Sequence, residues 1–192
     1  MNTGMIASRY ATALLELVDE TGASEMVLAQ SQAILKALAS VPDLRRAVED
    51  RTGVSGDRKI SLLETVVKDS EGSSMASGLR KFLALLVKNG RIGDIVLILK
   101  SFENEYYKSR GIARGRLTLP SADDSLGEEF ERRLKSLIEE KTGKRLLLTT
   151  EIDESLIGGF RFEVEDRLLD ASVSRQLDLI RGKLEEKNRR IV

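Results

Sequence analysis

Few residues in this chain have the types and spacing that catalysis requires. The candidates are three pairs of adjacent carboxylates, Asp123-Asp124, Glu139-Glu140 and Glu185-Glu186. Neighbouring residues on a helix point about 100° apart, so such a pair does not converge on one substrate atom. The chain also lacks histidine and cysteine, which most often supply a general base, a metal ligand or a thiol nucleophile. We therefore expect no catalytic, cofactor-binding or metal-binding residues and no cofactor. A carboxylate-dependent hydrolase or transferase stays open as an alternative, and it would need acidic residues that converge in a concave pocket.

Two glycine-containing segments resemble parts of phosphate-binding loops. They are Gly111-x-x-x-Gly115 and Thr142-Gly143-Lys144. Neither has the Gly-x-x-x-x-Gly-Lys-Ser/Thr order that directs backbone donors at a phosphate. We interpret both as turns.

Arg110, Arg114 and Arg116 form the main basic cluster in the middle of the chain. No aromatic residues alternate with them to stack on bases, so we interpret the cluster as a solvated strand edge. The chain carries 31 basic and 31 acidic residues, and this balance creates no bulk field that would attract a polyanion. Nucleic acid is not an expected partner, although an RNA-associated helical protein remains a second alternative.

The elements that would position any site are helical over the first 108 residues. Apolar periodicity, glycines and Pro42 predict six helices there. A small polar stretch from Asp69 to Ser74 is predicted to be a loop. The predicted helices are Met5–Glu20, Ser24–Ala39, Leu44–Asp50, a fourth through Ile60 and Val67, Met75–Asn89 and Ile92–Lys108.

The pattern changes after Gly111 to strands alternating with helices. The capping box Ser125-x-x-Glu128 predicts the start of a helix that runs to about Lys141. A last helix is predicted over Val173–Lys187 with Ser172 as its N-cap. The fold class predicted is mainly α, with a six-helix bundle over residues 1–108 followed by a small α/β domain over residues 109–192. The predicted strands are Ile112–Leu119, Leu146–Ile152, Phe160–Val164 and Arg167–Asp170.

The first predicted helix is apolar over an unusually wide arc. At 100° per residue its apolar side chains spread over about 200°, whereas one core-facing stripe needs only about 100°. A central position in the bundle would explain this width. The alternative is that one side seals the core while the other lines a groove for a partner's amphipathic helix. The residues of this arc are Ile6, Ala7, Tyr10, Ala11, Ala13, Leu14, Leu15, Leu17 and Val18.

Three segments carry a family resemblance. Residues 7–14, Ala-Ser-Arg-Tyr-Ala-Thr-Ala-Leu, resemble the opening Ala-x-x-Tyr-Ala-x-Ala signature of the delta subunit of F-type ATP synthase, whose mitochondrial counterpart is the oligomycin-sensitivity-conferring protein. Phe82 through Asn89-Gly90-Arg91 is similar to that family's fifth helix and the turn after it. Residues 152–160, with Asp170-Ala171-Ser172-Val173 and Gln176-Leu177, are similar to its C-terminal signature. The segment from Arg114 to Ser121 departs from the usual pattern, being richer in arginine and containing Pro120.

The resemblance implies a non-catalytic stator subunit. In that family the helical domain binds N-terminal segments of the alpha subunits, and the second domain binds the C-terminal end of the b subunit. These two contacts link the catalytic head to the peripheral stalk. Rotation is thereby coupled to proton-driven ATP synthesis. The family's groove lies between the first and fifth helices. It maps onto Tyr10, Ala13, Leu14 and Leu17 on one wall and onto Phe82, Leu83, Leu86 and Asn89 on the other.

The expected location follows from the same resemblance. The longest apolar run, Phe82 to Val87, is far shorter than the ~20 residues that cross a bilayer, and no targeting segment is visible at the start. We expect a subunit that is peripheral to the cytoplasmic face of the bacterial plasma membrane, held there through the complex and not by direct insertion.

Overall fold

The computed structural model describes residues 3–50, 53–121, 125–165 and 167–189, and of residues 125–128 and 182–189 it describes the backbone only. The chain is mainly helical, with a small four-stranded sheet toward its C-terminal end. It divides into two compact units, residues 1–106 and 107–192. No helix within the described ranges has both the length and the apolarity needed to cross a membrane.

Helices make up the described part of the first unit. A single 3-10 turn, Ile92–Asp94, separates the last two. Glycines and Pro42 mark several of the helix ends, as the sequence pattern predicts. The helices are α1 (Thr3–Glu20), α2 (Ser24–Ser40), α3 (Pro42–Glu49), α4 (Gly56–Glu71), α5 (Ser77–Lys88) and α6 (Ile95–Ser109).

The core of this unit is built from one buried stripe on each long helix. Each stripe repeats at three or four residues, as on α1, where Ala7, Ala11, Leu14 and Val18 are all buried. Such spacing places side chains on a single helical face, which can pack against its neighbours. The largest fully buried side chain is Phe102, on α6.

A buried glutamine holds the connection between α4 and α5 in place. Gln30 on α2 is almost fully buried. Its Nε2 donates to the carbonyl oxygen of Ser74 at 3.1 Å, and its Oε1 accepts from the backbone N–H of Ala76 at 2.9 Å. Because a buried amide without partners would be costly, this pair of bonds satisfies the side chain and fixes the start of α5.

The second unit contains the sheet and two helices. Its elements are β1 (Ile112–Leu119), α7 (Ser125–Thr142), β2 (Arg145–Ile152), β3 (Arg161–Val164), β4 (Arg167–Asp170) and α8 (Val173–Arg189). The strand order is β2-β1-β3-β4. β1 pairs in parallel with β2 and antiparallel with β3, which pairs antiparallel with β4. A parallel pair needs a long crossover connection, and α7 provides it.

One face of the sheet packs against α7. Ala113, Leu117, Leu146 and Phe162 are buried there. Phe130 on α7 lies with its ring centroid 4.5 Å from that of Phe160. On the other face, Arg114 and Arg116 of β1 and the alternate residues of β2 from Arg145 to Glu151 are exposed.

The prediction of a mainly helical chain with a small α/β part near the C-terminus is confirmed. The described residues contain eight α-helices, of which α1 to α6 precede the first strand. The six-helix bundle itself stays a prediction. One loop prediction is wrong at its start, because α4 continues to Glu71 before Gly72, at φ 63°, ends it. The prediction of Ser172 as the N-cap of the last helix is confirmed, since its Oγ accepts from the N–H of Arg175 at 3.2 Å.

Candidate functional site

Helices α1 and α5 lie side by side and run in opposite directions. Near the start of α5, a Cβ at Gly78 would lie 3.7 Å from Val18 Cγ1 and 3.9 Å from Leu17 Cδ2, both near the end of α1. At the other end, Asn89 Nδ2 donates to the Tyr10 hydroxyl at 3.0 Å. The distances at Gly78 are ordinary van der Waals distances, so α5 contacts the end of α1 there.

At the Asn89 end, the contact between α1 and α5 includes the aromatic ring of Tyr10. It meets the Phe82 ring edge-on, with centroids 6.2 Å apart and an interplanar angle of 72°. This is a favourable geometry for two aromatic rings. The hydroxyl remains at the surface, where it accepts the bond from Asn89.

The eight predicted groove residues fall into two groups. Leu14, Phe82, Leu83 and Leu86 are buried within the unit's core, with exposed fractions of 0–4%. Tyr10 and Leu17 are half-buried, and Ala13 and Asn89 are exposed. The assignment of these residues to a binding site stays a prediction. Their exposed fractions identify which of them could contact a partner without leaving the core.

Helical spacing identifies two further apolar residues on the same surface. Ile6 lies four residues before Tyr10, and Leu85 lies seven residues after Gly78 and four before Asn89. Residues at these spacings share a helix face. Ile6 is half-buried and Leu85 is 45% exposed. We call this surface the outer groove; it comprises Ile6, Tyr10, Ala13, Leu17, Gly78, Leu85 and Asn89.

The sequence carried signals for the two residues that the predicted groove omits. Ile6 belongs to the wide apolar arc of the first helix. Leu85 is an apolar residue outside the stripe that buries Leu79, Phe82, Leu83 and Leu86. An apolar side chain outside the buried stripe of an amphipathic helix is the informative feature.

Of the three acidic pairs, only Glu139-Glu140 has described side chains, and both are exposed. Glu139 Oε1 accepts from the backbone N–H of Leu146 at 3.3 Å, which serves the α7 to β2 connection. Asp123-Asp124 lies outside the described residues, and the side chains of Glu185-Glu186 also lie outside them. Within the described ranges there is no group of three acidic residues placed to hold a metal ion.

The interpretation of the arginine cluster as a strand edge is wrong. Arg114 and Arg116 lie on β1, which is paired on both sides and is therefore a central strand. The Arg114 guanidinium lies 5.2 Å from the centroid of the Tyr107 ring, and Arg116 Nε lies 3.6 Å from Glu151 Oε1. These two arginines lie on the solvent-facing side of a central strand, because β2 and β3 occupy both of its edges.

Two aspartates of the C-terminal signature have backbone roles. Asp153 accepts from the Ser155 hydroxyl at 2.6 Å and from the Ser155 N–H at 3.0 Å, and these bonds lower the pKa of its carboxyl below the ordinary value. Asp170 accepts from the Ser172 N–H at 3.0 Å, and its bonds with Ser172 lower its pKa in the same way. Hydrogen bonds that favour the charged form lower the pKa of a carboxyl. Both residues hold turns next to the sheet.

Comparison with known proteins covers nearly the whole chain. The sequence model of the family described as ATP synthase delta (OSCP) subunit matches residues 6–184. A protein named ATP synthase subunit delta from Phocaeicola vulgatus is 31% identical over 192 residues, all of both chains. Another of that name, from Hyphomonas neptunium, is 34% identical over 178 residues, which are 93% of this chain and 94% of the relative.

The fold also matches a solved structure. A chain of the Toxoplasma gondii mitochondrial ATP synthase hexamer, determined by cryo-EM, superposes with a TM-score of 0.69. The match covers 93% of this chain and 96% of the other, at 21% sequence identity. At that identity the likeness establishes the fold alone. Together with the match over residues 6–184, the sequence relatives establish that this chain belongs to the ATP synthase delta (OSCP) subunit family.

Proposed function

We propose that this chain is a non-catalytic subunit that mechanically links the catalytic alpha/beta head to the peripheral stalk. Its family identifies it as a stator subunit of F-type ATP synthase. A stator must resist the torque that the rotor applies to the head. Without that resistance the head would turn with the rotor, and proton flow would not drive ATP synthesis. Affinity and stiffness are then the properties on which function depends.

The proposed contact with the head is made by residues 1–108, the proposed helical-bundle domain. The observation that carries this proposal is the outer groove, a largely apolar surface between two helices whose residues are half-buried or exposed. Its partner would be an amphipathic N-terminal segment of an alpha subunit, with its apolar face against Ile6, Ala13, Leu17 and Leu85. Fully burying an exposed leucine or isoleucine contributes about 1.5–3 kcal/mol. Ile6, Leu17 and Leu85 are already partly buried, so each would contribute a fraction of this, and the contacts must act together to overcome the cost of association.

The proposed contact with the stalk is made by residues 109–192. The support is a set of exposed apolar side chains in that unit. On α8, Leu177, Leu179 and Ile180 are 50–55% exposed, and Ile157 in the loop before β3 is 77% exposed. Leu177 and Ile180 lie three residues apart and share a face of α8, and exposed apolar side chains on one face indicate a protein-binding surface. The partner proposed is the C-terminal end of the b subunit.

The proposed location follows from the partners. A stator subunit bound to the head and to the stalk would lie at the cytoplasmic face of the bacterial plasma membrane, peripheral to it. Its attachment would be through the complex.

Calorimetry tests the proposed contact with the head. The full chain is titrated with a synthetic peptide of about 20 residues, enough for a helix of ~30 Å, taken from the N-terminus of the same organism's alpha subunit. We expect saturable binding with a negative heat-capacity change, because apolar surface is buried. Absence of binding by a chain that circular dichroism confirms as folded would exclude this role for the outer groove.

A further inference from the structure

We propose that the Asn89-Gly90 peptide at the end of α5 is a covalent modification site, at which the chain deamidates without an enzyme, and that the hydrogen bonds around this helix end control the rate. Of the asparagines in the chain, Asn89 alone is followed by glycine. Both residues are exposed. The inference concerns the chain by itself and does not depend on the proposed partners.

The reaction uses two groups of this peptide and water. The backbone nitrogen of Gly90 attacks Cγ of the Asn89 side chain, the proton of that N–H passes through solvent to the departing amide, and ammonia leaves. The product is a five-membered succinimide. Water then opens the ring at either carbonyl and gives aspartate or isoaspartate at position 89. Glycine favours the attack because it has no side chain to hinder the approach of its nitrogen.

The fold requires the glycine that makes Asn89 reactive. Gly90 has φ 64°, the left-handed conformation that commonly follows a helix C-terminus. Its N–H donates to Val87 O at 3.0 Å, and the N–H of Arg91 donates to Leu86 O at 2.7 Å. These two bonds form the usual C-terminal cap, in which a residue with a side chain would be strained. The cap of α5 therefore places an unhindered nitrogen directly after Asn89.

The folded backbone keeps the two reacting atoms apart. The ψ of Asn89 is 2°. Because ψ is the torsion from one backbone nitrogen to the next, a value near zero places the Gly90 nitrogen on the same side as the Asn89 nitrogen. Ring closure needs the Gly90 nitrogen beside Cβ and Cγ instead. The bond from Gly90 N–H to Val87 O must also break, so deamidation requires the end of α5 to open first.

A tertiary contact restrains the reacting side chain as well. Asn89 Nδ2 donates to the Tyr10 hydroxyl at 3.0 Å, which ties the amide to α1. Helix ends open more readily than helix centres. Here the opening must break this contact in addition to the cap. The rate of deamidation therefore reports how often α5 separates from α1 at this end.

The two products affect the helix end differently. Aspartate would place a negative charge at the C-terminal end of α5, where the helix dipole disfavours it. Isoaspartate would run the main chain through the former side chain and add one backbone atom inside the hydrogen-bonded cap, which should disrupt it. In both products the amide donor to Tyr10 is lost.

Peptide mass spectrometry of the full chain tests the site. The chain is incubated at mildly alkaline pH, either folded or in concentrated urea, and is then cut after lysine at mildly acidic pH. Two of the resulting peptides cover residues 89–100 and 101–108. The first contains no asparagine or glutamine other than Asn89, and the second contains Asn104 before Glu105 as an internal control. Deamidation raises the mass because OH replaces NH2.

We expect the peptide of residues 89–100 to be converted in both samples, more than about tenfold faster in urea, because several hydrogen bonds hold the unreactive geometry of the folded chain. The peptide with Asn104 should stay unchanged over the same period. Equal rates at Asn89 in the folded and unfolded chain would overturn control by the fold. No conversion of Asn89 in urea would overturn the site itself.

A substitution on α1 tests the restraint by the tertiary contact. Tyr10→Phe should speed conversion of Asn89 in the folded chain roughly two- to tenfold, the effect of removing one hydrogen bond on the open population, and leave the rate in urea unchanged. The control is Thr12→Ala, which removes a hydroxyl of α1 that bonds only locally, to Ser8 O. It should keep the wild-type rate. A wild-type rate in folded Tyr10→Phe would overturn the restraint by α1.

Discussion

Neighbouring residues of α1 occupy different environments, and this determines what a substitution there can report. Leu14 has no exposed surface and lies in the core. Ala13 is exposed and lies in the outer groove. A change at Leu14 therefore acts on stability, whereas a change at Ala13 acts on whatever the groove binds.

The first prediction contrasts these two positions. Leu14→Ala should lower the free energy of unfolding by about 2–5 kcal/mol, because it leaves a cavity in a packed core. Ala13→Asp should lower the free energy of unfolding by less than about 1 kcal/mol, the helix-propensity cost of aspartate at an exposed helical position. The same substitution should strongly weaken binding of the alpha-subunit peptide, since a carboxylate would be buried in the apolar contact. Urea unfolding and calorimetry measure the two effects.

The two variants also have outcomes that would contradict the assignment of Ala13 to the outer groove and of Leu14 to the core. Wild-type affinity in folded Ala13→Asp would show that the outer groove is not the binding surface. A small stability loss in Leu14→Ala would show that position 14 is less constrained than its burial indicates.

At the scale of elements, the connection from β2 to β3 shapes the second unit. Since β1 lies between these strands, the connection crosses from one side of β1 to the other and cannot be a simple hairpin. It then packs against the segment before α8. The N–H of Ala171 donates to Phe160 O, and the N–H of Val173 donates to Gly158 O, both at 2.9 Å.

Gly159 is required by this crossing in two ways. Its φ is 79°, a conformation that side chains disfavour, and a Cβ there would lie 2.3 Å from Ala171 O. Gly143 provides a matched comparison, because its φ is 68° but nothing lies within 4 Å of the position of a Cβ. Of these two glycines, only Gly159 combines the backbone conformation with a close approach.

The second prediction follows from that comparison. Gly143→Ala should cost about 1–2 kcal/mol of unfolding free energy, the penalty for placing a side chain in a left-handed conformation. Gly159→Ala should cost clearly more, because the 158–173 contact must also open. Chemical unfolding monitored by circular dichroism gives both values. Equal losses would mean that the loop adjusts without cost to Ala171.

At the scale of the whole molecule, each unit has apolar surface that its own residues leave exposed. In the first unit this is the outer groove, and in the second it includes the exposed face of α8. A chain that joins a head to a stalk must use separate surfaces for the two partners. The exposed apolar residues of the two units meet that requirement in the proposed function.

The third prediction is that both partners bind at once. Full chain saturated with the alpha-subunit peptide should bind a C-terminal segment of the b subunit with the same affinity as the free chain, and size-exclusion chromatography should isolate a complex of all three. Leu177→Asp should weaken binding of the b-subunit segment without changing the affinity for the alpha-subunit peptide, since position 177 is exposed on α8. Competition between the two partners would contradict a linking role.

Much of the fold could be predicted because its signals are local. Periodicity and turn residues predicted β1 and β4 with the observed bounds, and they predicted most helix ends to within two residues. The prediction that placed Arg114 and Arg116 on a strand edge was wrong. It failed because long-range pairing decides whether a strand is central or at an edge. Alternation along β1 does not reveal which strands lie beside it.

The sequence by itself determined the elements, the family and the width of the apolar arc on α1. Only the tertiary structure decided how that arc is divided. Leu14 faces the core and Ala13 the surface, and on α5 Leu86 is buried while Leu85 is exposed. Helical periodicity gives the angle between side chains, but the direction of the core is set by which helices pack on each side. For that reason the apolar residues were predictable, and their separation into core and outer groove was not.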